Sequence, residues 1–288
     1  MKRFALAAAG FLVAGCSHPA PQNGPAPHPV PKPSVDPGPY RTDQPVEVRH
    51  HPPPTARYTL YRRDSVAVQM PTGEAQVQTL GRTIYLTFIA TPTGNDYQIT
   101  FTADSIRLDQ DAVFPQAMID SAVGTQWTGR LDASGRLGEL ESSKPSLVGE
   151  QLRSHIRALF PSLPAAGATE GQSWTDSTTS TVKATTFDAT EEAISLYRAT
   201  GHEEVGGHPA LRIEATRASK LSGGGNQFGQ TLSLTGSGTT ALVYDLGLNG
   251  VLLAVSGTEI SELTITVEAV GQTVPAHQEA RFTLSLMP

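Results

Sequence analysis

Two neighbouring stretches of the chain show the alternation of apolar and polar side chains that is typical of half-buried β-strands. Residues 84–90 carry apolar side chains at every even position, and residues 97–103 carry them at every odd position. Between them, residues 91–96 read Thr-Pro-Thr-Gly-Asn-Asp, a composition that favours a turn. The pattern therefore predicts an antiparallel hairpin.

The same alternation of apolar and polar residues continues through the C-terminal half of the chain. Gly206-Gly207 and Asn249-Gly250 mark hairpin turns, because glycine accepts the positive φ that tight turns require. Gly223–Gly229 is rich in glycine and indicates a flexible loop between two strands. The further strands that we predict are 193–204, 209–219, 230–246, 250–256, 259–270 and 279–287.

One helix interrupts this pattern. Pro145 and Ser146 can start it, four apolar residues then recur at helical spacing, and Pro161 ends it. The apolar stripe is explained most simply by packing on a sheet, and a lid or a partner-binding surface is the alternative. We therefore expect a mainly β fold, with a large antiparallel curved sheet or open barrel and one packed helix at about 147–160.

The N-terminus has a different pattern. Lys2 and Arg3 precede an apolar run from Phe4 to Val13, and two small residues then lead to Cys16. The run is too short to cross a bilayer as a helix, which takes about 20 residues, so residues 1–15 are interpreted as a signal peptide. The alternative is an ordinary secretory signal in which Cys16 is incidental.

The five residues Leu-Val-Ala-Gly-Cys at 12–16 resemble the bacterial lipobox. The resemblance implies cleavage before Cys16 and attachment of diacylglycerol to its thiol, usually with a third acyl chain on its amine. Two or three chains anchor a protein stably where one chain is marginal. Ser17 stands where an Asp usually signals retention in the inner membrane, so we expect an outer-membrane lipoprotein that faces the periplasm or the cell surface.

Proline separates the anchor from the strands. Residues 17–54 hold 13 of the 22 prolines and few large apolar side chains. Such a density prevents helices and sheet ladders and favours an extended, solvated chain. The sequence therefore predicts three parts: a signal peptide at 1–15, a lipidated cysteine with a disordered tether at 16–54, and a single antiparallel β domain at 55–288.

Charge and composition exclude some classes of function. The formal charge of -6 becomes -8 once Lys2 and Arg3 are removed, because no acidic residue leaves with them. An acidic chain without a basic cluster gives no reason to expect a nucleic-acid partner. One cysteine in 288 residues excludes a disulfide framework and a multi-cysteine metal site.

The search for catalytic or metal-binding motifs gives no catalytic residue, no metal site and no cofactor. The chain has no phosphate-binding glycine loop and no Gly-x-Ser-x-Gly elbow. His202 and His208 flank a glycine pair, which suits a hairpin turn better than a zinc helix. His50 and His51 fall in the predicted tether. Four aspartates, at 104, 109, 111 and 120, lack the spacing of a calcium loop and suit a solvated loop.

Apolar and aromatic side chains are the remaining candidates for ligand contacts. Sequence alone leaves two alternatives open for them, a filled core or the wall of a cavity between the sheet and the helix. The candidates are Phe88, Phe101, Trp127, Leu152, Ile156 and Trp174.

Two resemblances bear on the β domain. Short motifs are similar to those of a widespread family of uncharacterised bacterial lipoproteins with a β-rich domain, and this resemblance implies no activity; they are Asp104-Ser105, Leu163-Pro164 and Gly171-Gln172-Ser173-Trp174. More distantly, a lipidated sheet crossed by a helix is similar to the LolA and LolB lipoprotein carriers, which hold acyl chains between a curved sheet and helices. This sequence differs from those carriers because it predicts one helix, whereas they have several.

These observations favour an envelope-anchored protein with a noncatalytic binding role. The expected partners are the membrane, through the lipid on Cys16, and a lipid or other apolar ligand. A structural or assembly protein that contacts other envelope proteins is the alternative. A hydrolase is the third hypothesis, and no nucleophile, base and orienting residue can be named together for it.

Overall fold

The computed structural model describes residues 46–70, 73–110, 115–144, 146–184, 187–227 and 230–288. The described residues form eleven strands and two α-helices. The helices are α1 (Gln116–Ala122) and α2 (Leu147–Arg157). The strands are β1 (Thr55–Gln69), β2 (Ala75–Thr93), β3 (Asp96–Leu108), β4 (Gln126–Leu131), β5 (Glu141–Ser142), β6 (Ser173–Ala184), β7 (Phe187–Val205), β8 (His208–Gln227), β9 (Gln230–Gly247), β10 (Leu252–Val267) and β11 (Gln272–Leu286).

All eleven strands belong to one antiparallel sheet, in the order β5-β4-β3-β2-β1-β11-β10-β9-β8-β7-β6. The two halves of the chain, β1–β5 and β6–β11, each form a meander and meet where β1 pairs with β11, from Tyr58 opposite Leu286 to Val68 opposite Ala276. The sheet is open, with β5 and β6 at its edges. The predicted mainly β, antiparallel fold with a packed helix is confirmed.

The sheet has two unlike faces because its strands alternate in burial. In β1, every even residue from Ala56 to Val68 is buried and the odd residues are partly or fully exposed. Helices α1 and α2 pack on the face that the even residues of β1 share, and we call it the helix face. The opposite face, which carries the odd residues of β1, is called the open face.

Helix α2 begins where the sequence predicts and ends three residues before the predicted boundary. The Ser146 hydroxyl caps it by accepting a hydrogen bond from the Gly149 N–H at 2.9 Å. Val148, Leu152 and Ile156 lie in the core that α2 shares with the sheet. The short helix α1, not predicted from the sequence, adds Ile119 and Ala122 to the same core.

Two predictions based on glycine are wrong. The break expected between residues 256 and 259 is absent, and β10 continues through Gly257. A Cβ at Gly257 would lie 2.5 Å from the Phe282 ring, so close packing rather than a turn explains this glycine. The expected loop at 223–229 is also strand up to Gln227, and a Cβ at Gly223 would lie 2.5 Å from the Asp188 carbonyl oxygen. Residues 228 and 229 lie outside the described part.

The folded part starts before residue 55, inside the predicted tether. Val48 forms an antiparallel bridge with Ala168, and both residues are buried. His50 is buried as well, and its Nε2 donates a hydrogen bond to the Pro161 carbonyl oxygen at 2.9 Å. The tether prediction is wrong here because this stretch contains Val48 and a neutral His50 ring instead of proline. Both side chains can enter the core. Cys16 and residues 17–45 of the predicted tether lie outside the described residues.

Candidate functional site

The core beneath α2 contains most of the side chains that the sequence offers as ligand contacts. Phe88, Phe101 and Trp127 are buried, and so are Leu152 and Ile156. The rings of Phe88 and Phe101 lie 4.8 Å apart, and each lies 6.1 Å from the ring of Phe160. These side chains pack against one another and form the centre of the helix-face core.

Trp174, the sixth candidate, lies at the margin of this core. Its indole Nε1 donates a hydrogen bond to the Ser162 carbonyl oxygen at 2.6 Å, and its ring stacks on Tyr197 at 5.4 Å. Both contacts hold the indole on the helix face. Trp174 also contributes to the wall of a pocket that belongs mainly to the opposite face of the sheet.

A charged cluster that the sequence analysis missed interrupts the helix face. It consists of Arg62 and Asp64 on β1, Arg82 on β2 and Glu259 on β10. Arg62 donates hydrogen bonds to Asp64 Oδ1 at 2.8 Å and to Glu259 Oε2 at 3.1 Å, while an Arg82 guanidinium nitrogen lies 3.5 Å from Asp64 Oδ2. Two cations and two anions balance, so the cluster is neutral as a set.

The cluster shifts the pKa of its members. Burial lowers the pKa of Arg62, but the charges of Asp64 and Glu259 outweigh that effect and leave it above the ordinary value. For Arg82, burial dominates over the attraction of Asp64, and its pKa is lowered. On α2, burial and the two arginines together hold the pKa of His155 well below its ordinary value, so this histidine is neutral.

Three buried polar atoms of this region have no hydrogen-bond partner among the described residues. They are Asp64 Oδ2, Arg82 Nε and His155 Nδ1. A bridging water can donate a hydrogen bond to the carboxylate oxygen, accept one from the guanidinium N–H and contact the imidazole nitrogen. We interpret the cluster as a structural element of the core. Its sequence signal is the pair Arg62 and Asp64 at positions where the alternation of β1 calls for apolar residues.

A concave feature lies on the open face. It is a pocket of about 940 Å³ whose lining follows outward-pointing positions on seven consecutive strands, and we call it the trough. Six strand spacings of about 4.8 Å make it roughly 29 Å long. The outward residues that line it are Tyr61, Arg281, Thr283, Ser256, Thr258, Ala241, Val243, Glu214, Thr216, Leu196, Arg198, Ser173 and Thr175.

Two parallel rows of directly opposed residues make up the lining. One row runs from Tyr61 through Thr283, Ser256, Val243, Glu214 and Arg198 to Ser173. The other runs from Arg281 through Thr258, Ala241, Thr216 and Leu196 to Thr175. The inward-pointing row between them, which includes Gly257, Leu242 and Ala215, completes the floor.

The trough combines apolar, hydroxyl and charged groups in an exposed position. Leu196 is 58% exposed, and Ala241 is exposed two strands away in the same row. The Arg281 guanidinium makes no hydrogen bond or ion pair with any described residue, whereas Arg198 lies directly opposite Glu214. The surface therefore offers one unpaired guanidinium together with Ala241, Val243 and Leu196, which we call the apolar strip.

The other residues considered for chemistry are dispersed. Asp104 accepts a hydrogen bond from Thr87, Asp109 from Tyr61, and Asp120 from Gln116, so each serves a local contact. Asp111 lies outside the described residues. His202 and His208 flank the Gly206-Gly207 turn, as predicted, and His202 contacts Glu170. Among the described residues, no three His, Cys, Asp or Glu side chains are placed to hold a metal ion.

No helix in the described part of the chain has the length and apolar character that a bilayer crossing needs. No protein-family model matches the sequence, and no curated protein matches it. Among solved structures, the crystal structure of Neisserial surface protein A (NspA) aligns with 80% of this chain and 97% of that chain, at 8% identity and a TM-score of 0.20. At that TM-score the likeness carries no argument about this chain.

Proposed function

We propose that the protein is a lipoprotein of the bacterial cell envelope that binds a ligand in the trough without catalysis. The trough carries the proposal, since about 940 Å³ lies within the range of ligand pockets. It also exposes Leu196 and the unpaired Arg281 guanidinium on a face that neither described helix covers. The lipobox-like segment that ends at Cys16 supports attachment to the outer membrane through acyl chains.

The structure changes where the ligand site is proposed. The sequence favours a cavity between the sheet and the helix, but Phe88, Phe101 and Leu152 pack closely there. A ligand beneath α2 would have to displace core side chains, which costs several kcal/mol for each large apolar residue. The trough requires no such displacement, because its side chains already face solvent.

The experiment is a binding titration with an uncharged, environment-sensitive apolar dye, N-phenyl-1-naphthylamine, which becomes fluorescent when it leaves water. We expect saturable binding that Leu196→Glu weakens at least tenfold, because the substitution places a charge on the apolar strip. The matched control is Val77→Glu, which alters an aliphatic residue that is 62% exposed on β2, outside the trough. Equal binding by both variants and the unaltered chain would overturn the proposal.

A further inference from the structure

Arg281 is the best-placed group in the trough to select a ligand. It lies on β11, directly opposite Arg63 on β1 and Thr258 on β10. Arg63 has a carboxylate of its own, since it lies 3.2 Å from Asp109 Oδ2, which also accepts a hydrogen bond from Tyr61. No carboxylate among the described residues pairs with Arg281.

Two arginines directly opposite each other on neighbouring strands repel, and this arrangement destabilises a sheet. Asp109 offsets Arg63, and Glu279, the acidic residue two positions before Arg281 on β11, contacts His277, so the Arg281 guanidinium has no partner among the described residues. An anion bound at Arg281 offsets the second arginine. The hydroxyl groups of Thr258, Thr283 and Ser256 line the same end of the trough and can donate further hydrogen bonds to it.

Away from this end the apolar side chains lie on β9 and β7, and β8 contributes Thr216 and Glu214 between them. Two strands from Arg281, β9 contributes Ala241 and Val243, and four strands away β7 contributes Leu196. Four strand spacings correspond to about 19 Å. At the far end, Arg198 lies directly opposite Glu214, so the two charges offset each other. The uncompensated charge is therefore at the β11 end, and the apolar strip extends from it in one direction.

We propose that the trough binds an anionic amphiphile, with its acidic headgroup at Arg281 and its acyl chain across β9 and β7. The inference rests on the proposed binding function and adds the chemical class of the ligand. Charge complementarity at Arg281 selects the headgroup, and the exposed Leu196 and Ala241 contact the chain. Carboxylate and phosphate headgroups share the required chemistry, which is a negative charge with several hydrogen-bond acceptors.

The test compares palmitate with its uncharged methyl ester. Both are titrated in competition with the dye against the full chain carrying Cys16→Ser, so that neither an attached acyl group nor detergent competes for the trough. We expect palmitate to bind and Arg281→Gln to weaken its binding at least tenfold, the loss of one charge-assisted hydrogen bond. The same substitution leaves binding of the ester unchanged.

Arg57→Gln is the matched control, because Arg57 is an exposed arginine on the same face of β1 and outside the trough. We expect it to affect neither ligand. If acid and ester bind equally and Arg281→Gln changes neither, the headgroup inference is wrong while the binding function stands. If neither ligand binds and Leu196→Glu has no effect on the dye, the binding function itself is wrong.

Inorganic phosphate separates an amphiphile site from a simple anion site. At millimolar concentration it should not displace palmitate, because it gains nothing from the apolar strip. Displacement by phosphate at the same concentration as palmitate would show that the chain contributes no affinity, and it would overturn the inference.

Discussion

At the scale of single residues, His50 links the stability of the fold to pH. Burial lowers its pKa from 6.5 to about 4, against the opposing effects of the Pro161 carbonyl and of Asp132. Because the folded pKa lies below the unfolded one, the unfolded chain binds the proton more tightly. The stabilisation is complete above pH 6.5 and is lost as the pH falls from 6.5 towards 4.

We expect the free energy of unfolding to fall by about 3 kcal/mol across this window because of His50. His50→Gln keeps a donor for the Pro161 carbonyl but cannot titrate, so urea unfolding of this variant should depend less on pH between 4 and 6.5. His155 still titrates in the variant, so some dependence remains. The control is His208→Gln, at the exposed histidine that begins β8. An unchanged pH profile in His50→Gln would contradict the assignment.

The sequence pattern predicts core residues more readily than residues of the trough. Phe88 and Phe101 follow the alternation of their strands, which predicts burial but not whether a ligand shares the space. Arg281 and Leu196 carry no such signal, because an exposed arginine or leucine on a strand is ordinary. Their significance comes from neighbours on other strands, and a single sequence does not give those pairings. The prolines around His50 indicate a solvated tether, so the sequence does not predict that this histidine is buried.

At the scale of secondary-structure elements, the charged cluster joins strands from both halves of the chain. Arg62 and Asp64 belong to β1, Arg82 to β2 and Glu259 to β10. Hydrogen bonds and ion pairs therefore run across the β1–β11 junction, to Glu259 and from Gln278 to Asp64 at 3.3 Å. A buried cluster of this kind stabilises only while every charge has its partner.

Replacing Asp64 tests whether the cluster needs every charge to have its partner. We expect Asp64→Leu to lower the free energy of unfolding by about 3–5 kcal/mol, since it leaves two buried arginines short of a counter-charge. Asp104→Leu, at an exposed aspartate on β3, should cost less than about 1 kcal/mol. Adding Arg82→Met to Asp64→Leu should restore part of the loss. Urea unfolding measures all three, and equal losses for Asp64→Leu and Asp104→Leu would contradict this role.

The errors in element boundaries share one cause. Glycine marks a turn when the backbone needs a positive φ, as at Gly206 and Gly207, where φ is 58° and 80°. It marks close packing when a Cβ would meet a neighbour, as at Gly257 and Gly223. Glycine appears in the sequence in both cases, and only the contacts with the neighbouring strand distinguish a turn glycine from a closely packed one.

At the scale of the whole molecule, the anchoring proposal has a direct test in cells. Cys16→Ser removes the thiol that would be acylated, so we expect no incorporation of labelled palmitate and loss of the protein from the membrane fraction. Ser17→Ala, which alters the neighbouring residue, should keep both properties. Palmitate labelling of the Cys16→Ser chain, or the absence of label on the unaltered chain, would contradict the proposal.

The strand order explains why the trough was not predictable. Hairpins between neighbouring segments, such as β2–β3 and β7–β8, follow from local turns and were expected. The pairing of β1 with β11 joins residues that are far apart in the sequence, for example Tyr58 and Leu286. Without that pairing, Tyr61 and Arg63 cannot be placed beside β11, and nothing shows that Arg281 faces a second arginine.

The pairing of β1 with β11 also has a consequence for the order of folding. Strand β1 acquires its second neighbour only when residues 272–286 become available, so the two meanders cannot merge earlier. Contacts of this sequence separation are slow to form, because a long loop must close first. Until the last strand arrives, β1 keeps one edge unpaired and Arg62 lacks its second counter-charge, Glu259.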